Sequence, residues 1–206
     1  MSTGPVARHP DEPRLVVVRH GDTEWSENGR HTSYTDLPLL PSGIERAGSL
    51  VPLLAGFQFA RVLSSPLQRA LETARLAGFG DRVDVSDALT EWNYGEYEGL
   101  TSQQIWEQHP DWSLWTDGAP GGETPYEVAA RAERVIDDAV TAGGDVLIFA
   151  HGHILRLLAA CWIGERPFVG ALFRLNPATI SILGHEHDFR VVERWNAPAV
   201  TPRSSS

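Results

Sequence analysis

The chain has 206 residues, enough for one domain with a sizeable core and cramped for two complete ones. Asp plus Glu number 27 against 17 Lys plus Arg, a net charge of −10, which argues against nucleic acid as a partner because that affinity rests on clustered basic charge. With 42% hydrophobic residues and no apolar run near the ~20 residues a membrane span needs, the composition is that of a soluble protein without a membrane partner.

Residues 1–13 are polar and Pro-containing, with none of the apolar core of a signal peptide. They and residues 197–206 read as flexible tails around a single domain over residues 14–196. Leu15, Val16, Val17 and Val18 form an aliphatic run without alternation, the pattern of a strand covered on both faces in a parallel sheet. The run stops at Arg19, His20 and Gly21. Ligands in α/β folds bind where strands end, so Arg, His and a Gly that lets backbone approach a ligand offer a cationic, nucleophile-bearing pocket for an anion. A strand end that surfaces on two solvated polar residues is the plainer reading of these three alone.

Residues 22–41 form a polar loop long enough to be functional. Ser42 and Glu45 then have capping-box spacing, opening a helix to about Ala55. Residues 61–63 predict a short strand, followed by Ser65 as cap and Pro66 as first residue of a helix to about Ala77. Arg69 falls in its first turn, where a helix N-terminus also attracts anions, or lies solvated at the surface. Residues 83–85 suit an edge strand, and residues 89–100 are dense in aromatics, Gly and carboxylates. Such a run is ordinarily a solvated loop, yet Glu91 sits among bulky residues that exclude water, the setting a carboxyl acting as general acid requires.

Thr101 and Gln104 cap another short helix. In the irregular segment 109–123, Trp112 and Trp115 either cover a pocket mouth or pack as core. Thr124, Pro125 and Glu127 launch the longest helix, to about Thr141. Residues 145–150 repeat the opening apolar strand, now ending in His151, Gly152 and His153 before a helix over 154–162. His151 is thereby placed at a strand end beside the free N–H groups of a helix start. Cys161, the single cysteine, excludes an intramolecular disulfide, suits a reducing cytoplasmic compartment, and by its apolar surroundings is a core thiol. Phe168 to Phe173 suits a homodimer contact or core. Residues 179–183 and 189–195 predict two strands whose connection, with His185 and His187, is a hairpin turn better than a metal site. The alternation of strand and helix patterns predicts an α/β fold.

Taken together, Arg19-His20-Gly21 with Glu24-Trp25 and Gly29-Arg30, Asp36-Leu37-Pro38-Leu39, Ser64-Ser65-Pro66 with Arg69-Ala70 and Thr73-Ala74, Glu91 with Gly95 and Glu98-Gly99, and His151-Gly152 with Arg156 resemble the histidine phosphatase superfamily, in its phosphoglycerate mutase-like branch. The 91–99 and 149–153 stretches are most similar to actinobacterial mutase-like acid phosphatases and the fungal sedoheptulose-bisphosphatase type. The resemblance implies a three-layer sandwich with a mostly parallel central sheet flanked by helices. It implies that His20 attacks phosphorus and carries the phosphoryl group, that Arg19, Arg69 and His151 hold the phosphoryl oxygens, and that Glu91 is general acid and then base. No cofactor or metal is implied.

Gly21, Ser26, Thr32, Gly152 and His153 carry over as substrate contacts, with Ser26 and His153 standing where mutases of the family have Asn. Mutases also carry a long insertion after the Glu-Gly motif, whereas the short stretch between Gly99 and Glu123 here holds no Lys or Arg to retain a bisphosphorylated intermediate. The reading is therefore a metal-independent phosphomonoesterase, acid phosphatase-like, for small phosphorylated metabolites or sugar phosphates. A phosphoglycerate mutase is the alternative, and a non-catalytic phosphate-binding protein on the same fold a further one.

Overall fold

The computed structural model describes residues 12–199. Its centre is a six-stranded sheet formed by β1 (Leu15–Arg19), β2 (Phe59–Ser64), β3 (Val83–Val85), β4 (Asp145–Ala150), β5 (Thr179–Glu186) and β6 (Phe189–Pro198), in the order β3-β2-β4-β1-β5-β6. The first four are mutually parallel, β5 runs antiparallel to β1 and β6 antiparallel to β5, so the α/β sandwich with a mostly parallel sheet is what the chain builds. Because side chains alternate along a strand, the unbroken apolar runs feed two cores at once. Leu15, Val17, Val146 and Ile148 face one, packed by α7 (Pro125–Val140) and α8 (Gly152–Trp162). Val16, Val18, Leu147 and Phe149 face the other, with Leu50, Leu54 and Ala74 from α2 (Pro41–Gly48), α3 (Val51–Leu54) and α4 (Gln68–Leu76) at or near them.

Register sets the site. Arg19 pairs with Ala150 and Ser64 with Phe149, so His20, His151 and Ser65 are the next residues of three adjacent parallel strands. The His20 and Ser65 N–H groups continue the ladder onto the Ala150 and Phe149 carbonyls.

Several local expectations are corrected. The 22–41 loop contains a one-turn helix, α1 (Glu24–Asn28), closed by a reciprocal Thr23–Ser26 capping box and a left-handed Gly29. Ser42 caps nothing: Pro41, whose fixed φ suits a first helical residue, starts α2 after Leu40. The helix also stops at Gly48, since Pro52 has no N–H to offer its carbonyl, and resumes as α3. Ser65 does not open the next helix, because its hydroxyl is turned to His151; α4 starts at Gln68, whose N–H is taken by Asp36. Capping boxes at Thr101, before α5 (Ser102–Trp106), and at Thr124, before α7, are as expected. Helix α8 begins directly at Gly152 with His151 as its cap residue.

At the ends, Pro13 is buried and Arg14 donates from Nε and Nη2 to Asp145 Oδ2 and from its backbone N–H to Oδ1. Strand β6 continues past Asn196, with Ala197 and Pro198 paired to Ile180 and Thr179. Residues 1–11 and 200–206 of the expected tails lie outside the described part. The β5–β6 hairpin turns at His187 and Asp188, with His187 at φ 53°. Between α8 and β5, a 3-10 helix (Pro167–Leu172) buries Pro167 and Gly170 while Phe168 and Leu172 are exposed. Among the described residues no helix is long and apolar enough to cross a membrane.

Candidate active site

A cavity of about 90 Å³ opens at the C-terminal ends of β1 and β4, lined by Arg19, His20, Thr23, Ser26, Arg30, Thr32, Glu91, Tyr94, Gly152, His153, Arg156 and Leu175. That is room enough for a phosphoryl group.

His20 is buried, and its Nδ1 lies 2.7 Å from the Gly21 carbonyl. A carbonyl only accepts, so Nδ1 carries the proton and Nε2 keeps its lone pair. Burial, then the Arg69 and Arg19 cations, hold the imidazole pKa well below its ordinary value, so the ring is neutral. Beside it, Arg19 donates from Nη1 to the Leu175 carbonyl at 2.5 Å. Its Nε is buried without a partner among the described residues, an open donor at a site suited to an anion.

His151 lies next to His20, ring centroids 5.1 Å apart. Its Nδ1 accepts from Arg69 Nε at 3.1 Å, which leaves the proton on Nε2, 2.7 Å from Ser65 Oγ. Burial foremost, with Arg69 behind it, keeps this ring neutral too. Arg69 is only 1% exposed, and three of its other four N–H donors go to the carbonyls of Thr32, Ser33 and Thr35. That loop is itself held by Glu98, which accepts the Ser33 and Thr35 N–H groups. Arg69 and His151 therefore stand one layer behind the cavity wall, around the His20 ring.

Glu91 is buried, but by backbone donors as much as by bulky neighbours. Its Oε1 accepts the Trp92 and Ile154 N–H groups at 2.9 Å, and Oε2 accepts the His153 N–H at 3.0 Å. The carboxylate thus satisfies two of the free N–H groups at the start of α8. Oε2, with a single such bond, is the less occupied oxygen. Gly152 passes close to it: a Cβ there would lie 3.4 Å from the Arg19 guanidinium and 3.7 Å from Glu91 Oε2.

Gly21 lies outside the cavity lining, and a Cβ on it would sit 2.6 Å from the Gly43 carbonyl oxygen, so its bareness serves backbone packing. Ser26 and Thr32 do line the cavity; Ser26 Oγ completes the α1 cap and Thr32 Oγ1 donates to the Arg30 carbonyl. Trp112 and Trp115 pack as core that also backs the site: Trp115 meets Trp92 edge-on at 5.7 Å and lies under Arg156 at 4.5 Å.

Thr23, Tyr94 and Leu175 in the cavity wall were not singled out from the sequence, and Arg30 and Arg156 entered only as motif residues. Tyr94 is one aromatic in a run of them, and Leu175 precedes a strand without any chemical mark, so neither carried a signal. Among the described residues no cluster of three or more His, Cys, Asp or Glu is placed to hold a metal.

The profile of the family described as "Histidine phosphatase superfamily (branch 1)" matches residues 15–198. An acid phosphatase of Mycobacterium tuberculosis is 40% identical over 181 residues, covering 86% of this chain and 89% of the relative. Sedoheptulose 1,7-bisphosphatase of Saccharomyces cerevisiae is 36% identical over 184 residues, covering 74% and 68%. The solved structure of an open reading frame product from Mycobacterium tuberculosis superposes with a TM-score of 0.87 at 38% identity, covering 91% of this chain and 99% of that one.

Proposed function

The chain belongs to the histidine phosphatase superfamily, branch 1, and from that premise we propose that it is a metal-independent phosphomonoesterase working through a phosphohistidine at His20. It is a phosphatase of sugar phosphates or similar small metabolites, in keeping with its acid phosphatase and sedoheptulose bisphosphatase relatives. The observation that carries the mechanism is the neutral His20 ring, its Nδ1–H tied to the Gly21 carbonyl, in one cavity with Arg19 and Glu91.

His20 Nε2 attacks phosphorus as the ester P–O bond breaks, and Glu91 Oε2 gives its proton to the leaving alkoxide. After the alcohol leaves, Glu91 takes a proton from water, whose oxygen attacks phosphorus as the P–N bond breaks, releasing phosphate and restoring His20. Arg19 places its open Nε donor and its charge beside the phosphoryl oxygens, where a buried cation stabilises the transition state. Arg69 keeps positive charge, and with the neutral His151 ring a fixed hydrogen-bond chain, directly behind the nucleophile.

The test is phosphate release from a panel of sugar phosphates, a sugar bisphosphate, 3-phosphoglycerate and aryl phosphates, with EDTA present, from acidic to neutral pH. Release that survives EDTA and leaves acid-labile phosphoprotein on quenching supports the scheme. Loss of release on chelation, restored by a divalent cation, contradicts it. Strong stimulation of phosphoglycerate interconversion by 2,3-bisphosphoglycerate would make it a mutase.

A further inference from the structure

The wall of the cavity beside Glu91 is an imidazole held among aromatic rings. His153 lines the cavity and gives its backbone N–H to Glu91 Oε2. The ring stacks on His31, centroids 6.1 Å apart and 11° between planes, with Trp115 at 5.3 Å and Trp92 edge-on at 6.4 Å. Its Nδ1 lies 2.6 Å from the hydroxyl of Tyr94, a side chain 1% exposed.

Which atom carries the shared proton follows from the partners. No other acceptor for the Tyr94 hydroxyl is within hydrogen-bond distance among the described residues, so its proton goes to His153 Nδ1. Glu91 Oε2 at 3.9 Å is too far to draw a proton onto Nδ1 by hydrogen bonding. In the neutral ring the proton is then on Nε2. Burial, and after it the Arg156 cation, keep the ring neutral, while burial and Glu91 keep Tyr94 a phenol.

The geometry points to Tyr94 as a positioning residue that fixes His153 as an Nε2–H donor on the leaving-group side of the phosphoryl site. The side follows from Glu91: the proton donor must stand at the leaving oxygen, and His153 adjoins Glu91, whereas Arg19 and His20 serve phosphorus. His153 then steadies the oxygen or neighbouring hydroxyl of the departing alcohol. This rests on the phosphatase reading above.

The experiment is Tyr94→Phe, which removes one hydroxyl and keeps the ring. We expect kcat/KM for a sugar phosphate to fall about tenfold, the worth of one neutral hydrogen bond, with little change for 4-nitrophenyl phosphate, whose leaving group needs no help. In a His153→Ala background the Tyr94→Phe loss should vanish, and His153→Asn, which restores an N–H donor, should recover much of the His153→Ala loss. Nitrogen-15 NMR should find His153 protonated on Nε2 in the wild type and mixed between tautomers in Tyr94→Phe. Equal losses on both esters, a loss that persists without His153, or a wild-type ring protonated on Nδ1 would overturn the inference. A wild type that releases phosphate from no ester would sink the phosphatase reading and the leaving-group role with it, while the NMR result still decides the tautomer.

Discussion

Two strands of this sheet end alike, β1 in Arg19-His20-Gly21 and β4 in Ala150-His151-Gly152, and the two ends do different work. His20 uses one nitrogen internally and keeps the other open; His151 has both engaged, by Arg69 and by Ser65. Gly21 is bare because the Gly43 backbone presses on it, whereas a Cβ on Gly152 would meet only ordinary contacts with Arg19 and Glu91. A His-Gly at a strand end thus does not announce a nucleophile by itself. What distinguishes the two is the second nitrogen.

The sharpest way to break that distinction is to remove each ring. His20→Ala should abolish turnover, a loss on the order of 10⁴-fold or more, and leave no acid-labile phosphoprotein. His151→Ala removes part of the electrostatic support and should cost on the order of 10²–10³-fold while phosphoprotein still forms. Phosphoprotein in His20→Ala, or equal and total losses in both, would erase the difference between the strand ends.

Glu91→Gln should follow with a loss of about 10²–10⁴-fold for alkyl esters and a smaller one for 4-nitrophenyl phosphate. The Gln side-chain oxygen can still accept from Trp92 and Ile154, but its amide group would face the His153 N–H in place of an acceptor, so the fold should hold with a stability loss of about 1–3 kcal/mol. A variant that unfolds instead would show Glu91 to be chiefly the cap of α8.

How far the sequence already spoke differs between the same two ends. Both strands were legible because an apolar run without alternation has one physical meaning, burial on both faces, and β1 and β4 have it. The catalytic set was legible as residue types at strand and helix ends, and through motif resemblance. Distance from the cavity was not: whether Arg69 faces it or stands behind His20 depends on three carbonyls of a loop without regular structure. Tyr94 was illegible for another reason, since its one distinguishing feature is a partner 59 positions away. Helix α1 was missed because five residues carry no periodicity, although Thr23 and Ser26 hold their capping box in plain sight.

The glycines give a smaller, cleaner contrast. Gly21→Ala drives a methyl against the Gly43 carbonyl at 2.6 Å and should destabilise the fold by about 1–3 kcal/mol through a forced backbone shift. Gly152→Ala meets only ordinary contacts in the first turn of α8 and should leave stability within about 0.5 kcal/mol. Its methyl narrows the phosphoryl site between Arg19 and Glu91, so the effect should appear as a raised KM. Urea melts and steady-state kinetics on the pair would separate a structural glycine from a site glycine.

The gentlest probe is pH, because both strand-end rings are buried neutral with pKa values held well below 6.5. The unfolded chain takes up protons at these histidines as pH falls through about 6.5, and the native state does not. Stability is therefore unaffected above that value and declines below it, by up to about 1.4 kcal/mol per pH unit for each ring, until the native pKa is reached. Activity has a different window, since His20 remains an unprotonated nucleophile throughout that decline. The acid limb of kcat/KM should lie well below pH 6.5 while urea midpoints are already dropping. Removing either ring should flatten the stability slope by about one proton's worth, so His151→Ala should be relatively less sensitive to acid than the wild type although less active. An unchanged slope in both variants would locate the acid sensitivity elsewhere, and an acid limb at 6.5 would mean that His20 titrates as an ordinary histidine.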